Sequence, residues 1–144
     1  MNRNFLNDHS GKNAILKRHI IRLCIQSGSY SIADLSRKVN ASVPTVTKLI
    51  GELISDGYLL DLGKQGTSGG RRPTIYGLNP AAGYFIGVDI ARQHFHIGIT
   101  DFKGELKDFI QDIPFVLVND TNSFRELCHT VREQVTARGI DWNK

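Results

Sequence analysis

Two groups of residues in this 144-residue chain have the types and spacing to do chemistry, and they point to different kinds of it. His94 and His96 stand two apart, which on a strand sets both imidazoles on one face. That is half of a metal site, and Asp89 or Asp101 would have to complete it. No cysteine or third histidine is near, and zinc sites gather three or four ligands, so the pair reads as ordinary polar strand positions. Asp89 and Asp101 as an acid–base couple rank equally low. No nucleophile elbow, phosphate-loop or zinc-protease motif occurs. Cys24 and Cys128 are far apart and outside any C-x-x-C pattern, and Cys24 reads as a small core residue. The sequence therefore assigns no catalytic residue, no cofactor and no metal, and the expectation is a protein that is not an enzyme. The second group is Ser42, Pro44, Thr45, Thr47 and Lys48, with Arg37, Lys38, Lys64, Arg71 and Arg72 around it. Hydroxyls, small residues and cations are the groups that meet phosphates and base edges through hydrogen bonds and charge, with no covalent chemistry.

The elements that must carry this second group are legible from capping and periodicity. Ser31 is suited to cap a helix, and Asp34, three residues on, can reach back to it as a shortened capping box. Ile32, Leu35 and Val39 then recur at helical spacing, Asn40-Ala41 forms a turn, and Ser42 caps again with Pro44 in the first turn. Val46, Leu49, Ile50, Leu53 and Ile54 make the apolar face of the second helix, while Pro44, Thr45, Thr47, Lys48 and Glu52 point elsewhere. This is the pattern of a helix-turn-helix whose second helix enters the major groove. A small helical hairpin without a ligand is the plainer alternative.

The flanking segments favour the first reading. Lys12–Ser27 reads as a helix with Ile15, Leu16, His19, Ile20, Leu23 and Cys24 on one side and Lys17, Arg18 and Arg22 on the other; Gly28 stops it. His19 reads as a partly buried helix histidine. After the second helix, Tyr58–Leu62 and Thr74–Leu78 are strand candidates joined by Gly63–Pro73, a glycine-rich loop holding Lys64, Arg71 and Arg72. A hairpin with a basic tip in this place is a wing. It can follow the phosphate backbone or lay its arginines in a narrow A·T-rich minor groove. Charge agrees: residues 1–80 hold eleven Lys and Arg against five Asp and Glu, and residues 81–144 hold seven against nine. Only the first half is balanced to meet a polyanion.

Leu78–Gly83 is a punctuated connector, which divides the chain into 1–80 and 81–144. Beyond it Tyr84–Ile90, His94–Thr100 and Leu106–Ile113 read as sequential strands. A helix near Ser123–Ala137 follows, with Phe124, Leu127, Cys128, Val131 and Val135 on one face. The fold class expected is α+β: three helices and a hairpin wing, then three strands and a helix. No apolar run approaches the about 18–20 residues of a membrane span and no secretory signal is visible, so the reading is a cytoplasmic protein without a membrane partner.

The stretch GGRRPTIYGLNPAAGYFIGVDI (Gly69–Ile90), set behind a three-helix winged module, resembles the ROK family of bacterial repressors and sugar kinases, and within it the xylose-repressor type of regulator. The resemblance runs from about Lys12 nearly to the end. It implies that 81–144 is the start of an actin-like effector domain, left incomplete here. It also implies a repressor of carbohydrate genes, acting as a homodimer on palindromic, A·T-rich double-stranded DNA. The sugar or sugar-phosphate effector site, the catalytic aspartate of the kinases and a Cys/His zinc cluster would all lie beyond residue 144, so the chain reads as a truncated or cleaved piece. Its open strand edges and uncovered sheet face would favour pairing with another chain. Kinase members carry an Asp-x-Gly-Gly-Thr phosphate loop. Asp89 matches its aspartate, but Ala91, Arg92 and Gln93 stand at Gly, Gly and Thr, which argues against an ATP site. A sugar kinase or its degenerate remnant is the alternative reading, and a winged module that binds protein is a third.

Overall fold

The first helix, α1 (Lys12–Ser27), ends at Gly28, whose φ of 84° suits glycine and whose N–H donates to the carbonyl of Cys24. The computed structural model describes residues 11–64 and 73–142, in two compact units, Met1–Ala82 and Gly83–Lys144.

In the first unit a short strand, β1 (Ser29–Ser31), follows the stop and was not anticipated from three residues of sequence. Helix α2 (Ile32–Lys38) is capped as read: the Asp34 N–H donates to Ser31 Oγ at 3.2 Å, and that hydroxyl donates back to the Asp34 carboxylate at 2.6 Å. Asn40, at a φ of 50°, makes the turn. Asparagine is among the few side chains that tolerate this left-handed backbone. Helix α3 (Val43–Ser55) starts at the Ser42 cap. Strands β2 (Leu59–Lys64) and β3 (Thr74–Leu78) pair antiparallel, and β1 adds to the other edge of β3, giving the order β1-β3-β2.

Ile20, Leu35, Val46, Leu49, Leu53, Tyr58 and Leu59 are almost wholly buried and form one core. Cys24 sits in it, and burial pushes its thiol up to about 11, which keeps it an inert apolar residue. Gly77 is buried too, and a Cβ there would stand 2.8 Å from Leu62 Cδ1, so a larger residue would push that leucine off the strand. Asn79 ties the hairpin to the end of α3: its side-chain amide donates to the Gly57 carbonyl at 2.8 Å and its N–H to the Tyr58 carbonyl.

One face was misjudged. The buried side of α1 is Ala14, Lys17, Ile20, Ile21 and Cys24, whereas Ile15 is exposed, His19 is exposed, and Leu16 and Leu23 are only partly covered. Lys17 belongs to the buried face because its Nζ lies 2.8 Å from Glu52 Oε2 and 3.8 Å from Asp56 Oδ2 on α3. An opposite charge waiting in the facing helix makes a buried lysine tolerable, and α1 turns to bring it there.

In the second unit β4 (Tyr84–Ile90), β5 (His94–Asp101) and β6 (Leu106–Pro114) form an antiparallel sheet in chain order. Strict alternation on β5 buries Phe95, Ile97 and Ile99 against Leu127, Val131 and Val135 of α4 (Thr121–Thr136). The cap of α4 is Asp120, which accepts from the Ser123 N–H at 2.7 Å, so the helix begins two residues before the expected Ser123. Phe124 and Cys128, expected on its core face, are exposed beside Val88 and Ile90 in a groove along the free edge of β4.

Asp101 closes this unit's β5–β6 turn. It accepts from the N–H groups of Lys103 and Glu105 at 2.9 and 3.1 Å and pairs with Lys107 Nζ at 2.9 Å. Burial alone would raise its carboxyl, but the Lys107 hydrogen bond and the two backbone donors outweigh it and hold the group below its ordinary value. Asp101→Asn is expected to destabilise the fold by about 1–3 kcal/mol at neutral pH, read by urea unfolding. A depressed carboxyl contributes stability above its ordinary range and loses it as pH falls, so the gap from wild type should close on acidification through the carboxylate range.

Candidate nucleic-acid interface

Helix α3 is amphipathic in the way a groove-binding helix must be. Val46, Leu49, Ile50 and Leu53 fasten it to the core, and its N-terminal half stands clear of the protein. Ser42, Val43, Pro44, Thr47 and Lys48 are exposed and Thr45 partly so. Lys48 is 70% exposed, and its only described carboxylate neighbour, Glu52, is 3.9 Å away, a contact loose enough to leave the ammonium usable by a phosphate or a base.

The hydroxyls are already oriented by the helix. Ser42 Oγ accepts from the Thr45 N–H and lies 2.8 Å from Thr45 Oγ1. Thr47 Oγ1 donates to the Val43 carbonyl at 2.8 Å. With its proton held inward, Thr47 turns acceptor lone pairs and a methyl group outward, which suits a base amino group or a thymine methyl. Val43 was passed over in the sequence. It is 51% exposed in the first turn and offers another methyl contact. Three residues before Val46, it has the spacing of a core position, and only the cap geometry turns it out.

The surrounding cations fall into different situations. Arg37 pairs with Asp34, whose carboxyl is held below its ordinary value chiefly by the Ser31 hydroxyl and then by Arg37. Lys38 Nζ stands 5.4 Å from the centre of the Tyr30 ring, so β1 steadies that side chain. Lys64 is exposed at the end of β2, just past the irregularity at Asp61–Lys64 where the Gly63 N–H donates to Asp61 Oδ1. Arg71 and Arg72, expected at the wing tip, lie outside the described residues. Lys17, counted in the basic balance, is paired inside and adds little to the surface. The structure thus brings Ser42, Pro44, Thr45, Thr47 and Lys48 together on one helix, with Arg37 and Lys38 on the helix before it.

This unit is a winged helix-turn-helix. Residues 15–59 match the family model described as winged helix-turn-helix DNA-binding. Over 101 residues the chain is 30% identical to the xylose repressor of Caldicellulosiruptor bescii, covering 70% of this chain and 25% of that protein. Over 87 residues it is 26% identical to the xylose repressor of Bacillus subtilis, covering 60% and 23%. It thus spans about a quarter of the length of these curated relatives. Its fold is shared with the crystal structure of a ROK family transcriptional regulator, a homologue of the E. coli MLC protein. That match has a TM-score of 0.65 at 20% identity and covers 90% of this chain and 33% of the other. The chain is similar to the ROK transcriptional regulators of the xylose-repressor type, as the Gly69–Ile90 stretch implied.

Proposed function

We propose that this chain is the DNA-binding part of a transcriptional repressor. Ser42, Val43, Pro44, Thr45, Thr47 and Lys48 meet the major groove, and Arg37, Lys38 and Lys64 meet phosphates. The observation that carries this is the exposed first half of α3, polar and cationic, on a helix whose other face is locked into the core. Arg71 and Arg72, expected at the wing tip, would enter the minor groove. On this reading residues 1–80 are the DNA-binding domain and 81–144 the start of an effector domain. The operator is two-fold and A·T-rich, the working form is a homodimer in the bacterial cytoplasm, and the genes controlled serve carbohydrate use. A sugar or sugar phosphate would bind the part of the domain that the longer relatives possess.

The kinase alternative is disfavoured by the β4–β5 turn. The Ala91 N–H donates to the His94 carbonyl at 2.9 Å, so this amide is spent within the hairpin, and side chains rather than glycines stand at Ala91, Arg92 and Gln93. Enrichment of bound fragments from random DNA tests the proposal and reports half-site symmetry; recovery of no preferred sequence would overturn it. Lys48→Ala refines it. A fall of about 0.9 in the slope of log K against log salt assigns Lys48 to a phosphate. An unchanged slope with weaker discrimination assigns it to a base, and no change in either removes it from the interface.

A further inference from the structure

The geometry points to a divalent transition-metal site on the second unit, built from His94, His96 and Asp112. From sequence, the histidine pair lacked a third ligand, and Asp89 or Asp101 were the acids considered. Asp101 is buried on the opposite face with Lys107, and the fold supplies Asp112 instead. The means is a β-bulge. Phe95 faces Ile113 and Ile97 faces Ile110, so Gln111 and Asp112 together oppose His96. Asp112 takes a φ of 53° there, and this re-aims its carboxylate across the strand.

One ligand atom from each of the three residues lies within 4.8 Å of the others. His94 Nε2 is 3.8 Å from Asp112 Oδ1, and the two imidazoles meet edge to face with centroids 4.9 Å apart. His96 Nδ1 accepts from the Asp112 N–H at 3.1 Å. That lone pair is engaged by the backbone, so an ion would take Nδ1 by displacing this hydrogen bond or would be met by Nε2 instead. A tetrahedral ion with bonds of about 2.0–2.1 Å needs donors about 3.3 Å apart. Rotation of the exposed Asp112 and the half-buried His94 side chains closes that difference. Two imidazoles and one carboxylate suit Zn²⁺, Co²⁺, Ni²⁺ or Fe²⁺ over the hard ions, with solvent filling the remaining positions. Asp89, opposite His96 in register on β4 and exposed, is placed to add a further oxygen.

The test is titration of the full chain with Zn²⁺ by calorimetry and with Co²⁺ by visible absorption. One ion per chain is expected. His96→Ala and Asp112→Asn should each weaken it by at least about tenfold. Asparagine keeps the left-handed backbone at 112 and removes only the charge, so its loss of binding cannot be a folding effect. Cys128→Ser and His129→Ala serve as controls at other candidate ligands, on α4 across the opposite face of the sheet, and His9→Ala and His19→Ala at the other histidines. All four should leave binding unchanged. No stoichiometric binding, binding that survives both His96→Ala and Asp112→Asn, or binding lost in a control variant would overturn the site.

Discussion

Lys17→Met is expected to destabilise the winged unit by about 2–3 kcal/mol. That is below the about 3–5 kcal/mol of a fully buried broken pair, because the carboxylates it abandons keep some water. The Lys17 side chain is only 11% exposed, while those of Glu52 and Asp56 are 38% and 21% exposed. Methionine retains the apolar stem, so the change isolates the charge. Removing the cation leaves Glu52 and Asp56, one turn apart at the end of α3, without the charge that α1 supplies across the contact that seats the recognition helix on the core. Pairing the change with Glu52→Gln should recover part of the loss, since the stranded charge is then halved. Urea unfolding of the four proteins of that cycle measures the coupling. A coupling indistinguishable from zero would mean that Lys17 is held by its stem alone. DNA affinity of Lys17→Met should drop at temperatures where the wild type is still folded.

Arg71→Ala combined with Arg72→Ala should produce the largest loss of DNA binding. At fixed salt the affinity is expected to fall by about tenfold or more, and preference for A·T-rich flanks should relax. Both arginines follow two glycines and precede Pro73, between strands whose pairing at Lys64 and Thr74 sets the base of the hairpin. In general, glycine permits a close backbone approach to a duplex, and a proline favours an extended conformation in the residue before it. A mobility-shift titration decides the matter, and unchanged affinity would remove the wing from the interface. Thermal unfolding of the double variant should match the wild type, because both substitutions fall between the two strands in sequence and change none of the described core.

Much of the winged unit could be read from residue order because its signals are local. The Ser31–Asp34 and Ser42–Thr45 contacts span three residues, and the turn at Asn40 needs only one tolerant side chain. The apolar stripe of α3 and the alternation on β5 likewise follow from helical and strand periods, and those positions are buried as expected apart from Ile54, which is half-buried. What was misread depended on partners distant in the chain. Three residues of β1 become a strand only because β3, more than forty residues on, offers an edge. Phe124 fits the apolar spacing of α4, yet it is 58% exposed, because the sheet beneath α4 fills the contact with Leu127, Val131 and Val135 first.

Local chemistry alone determined that this chain would build two capped helices with a polar, cationic front, since capping and periodicity act within a few residues. Two features were decided by tertiary structure: which face of α1 is buried, and that Asp112 stands beside His94 and His96. Each turns on a contact whose partners lie far apart in sequence, or on a bulge that shifts register by one residue. Such contacts arise only when whole elements pack, and no short window of sequence contains both partners.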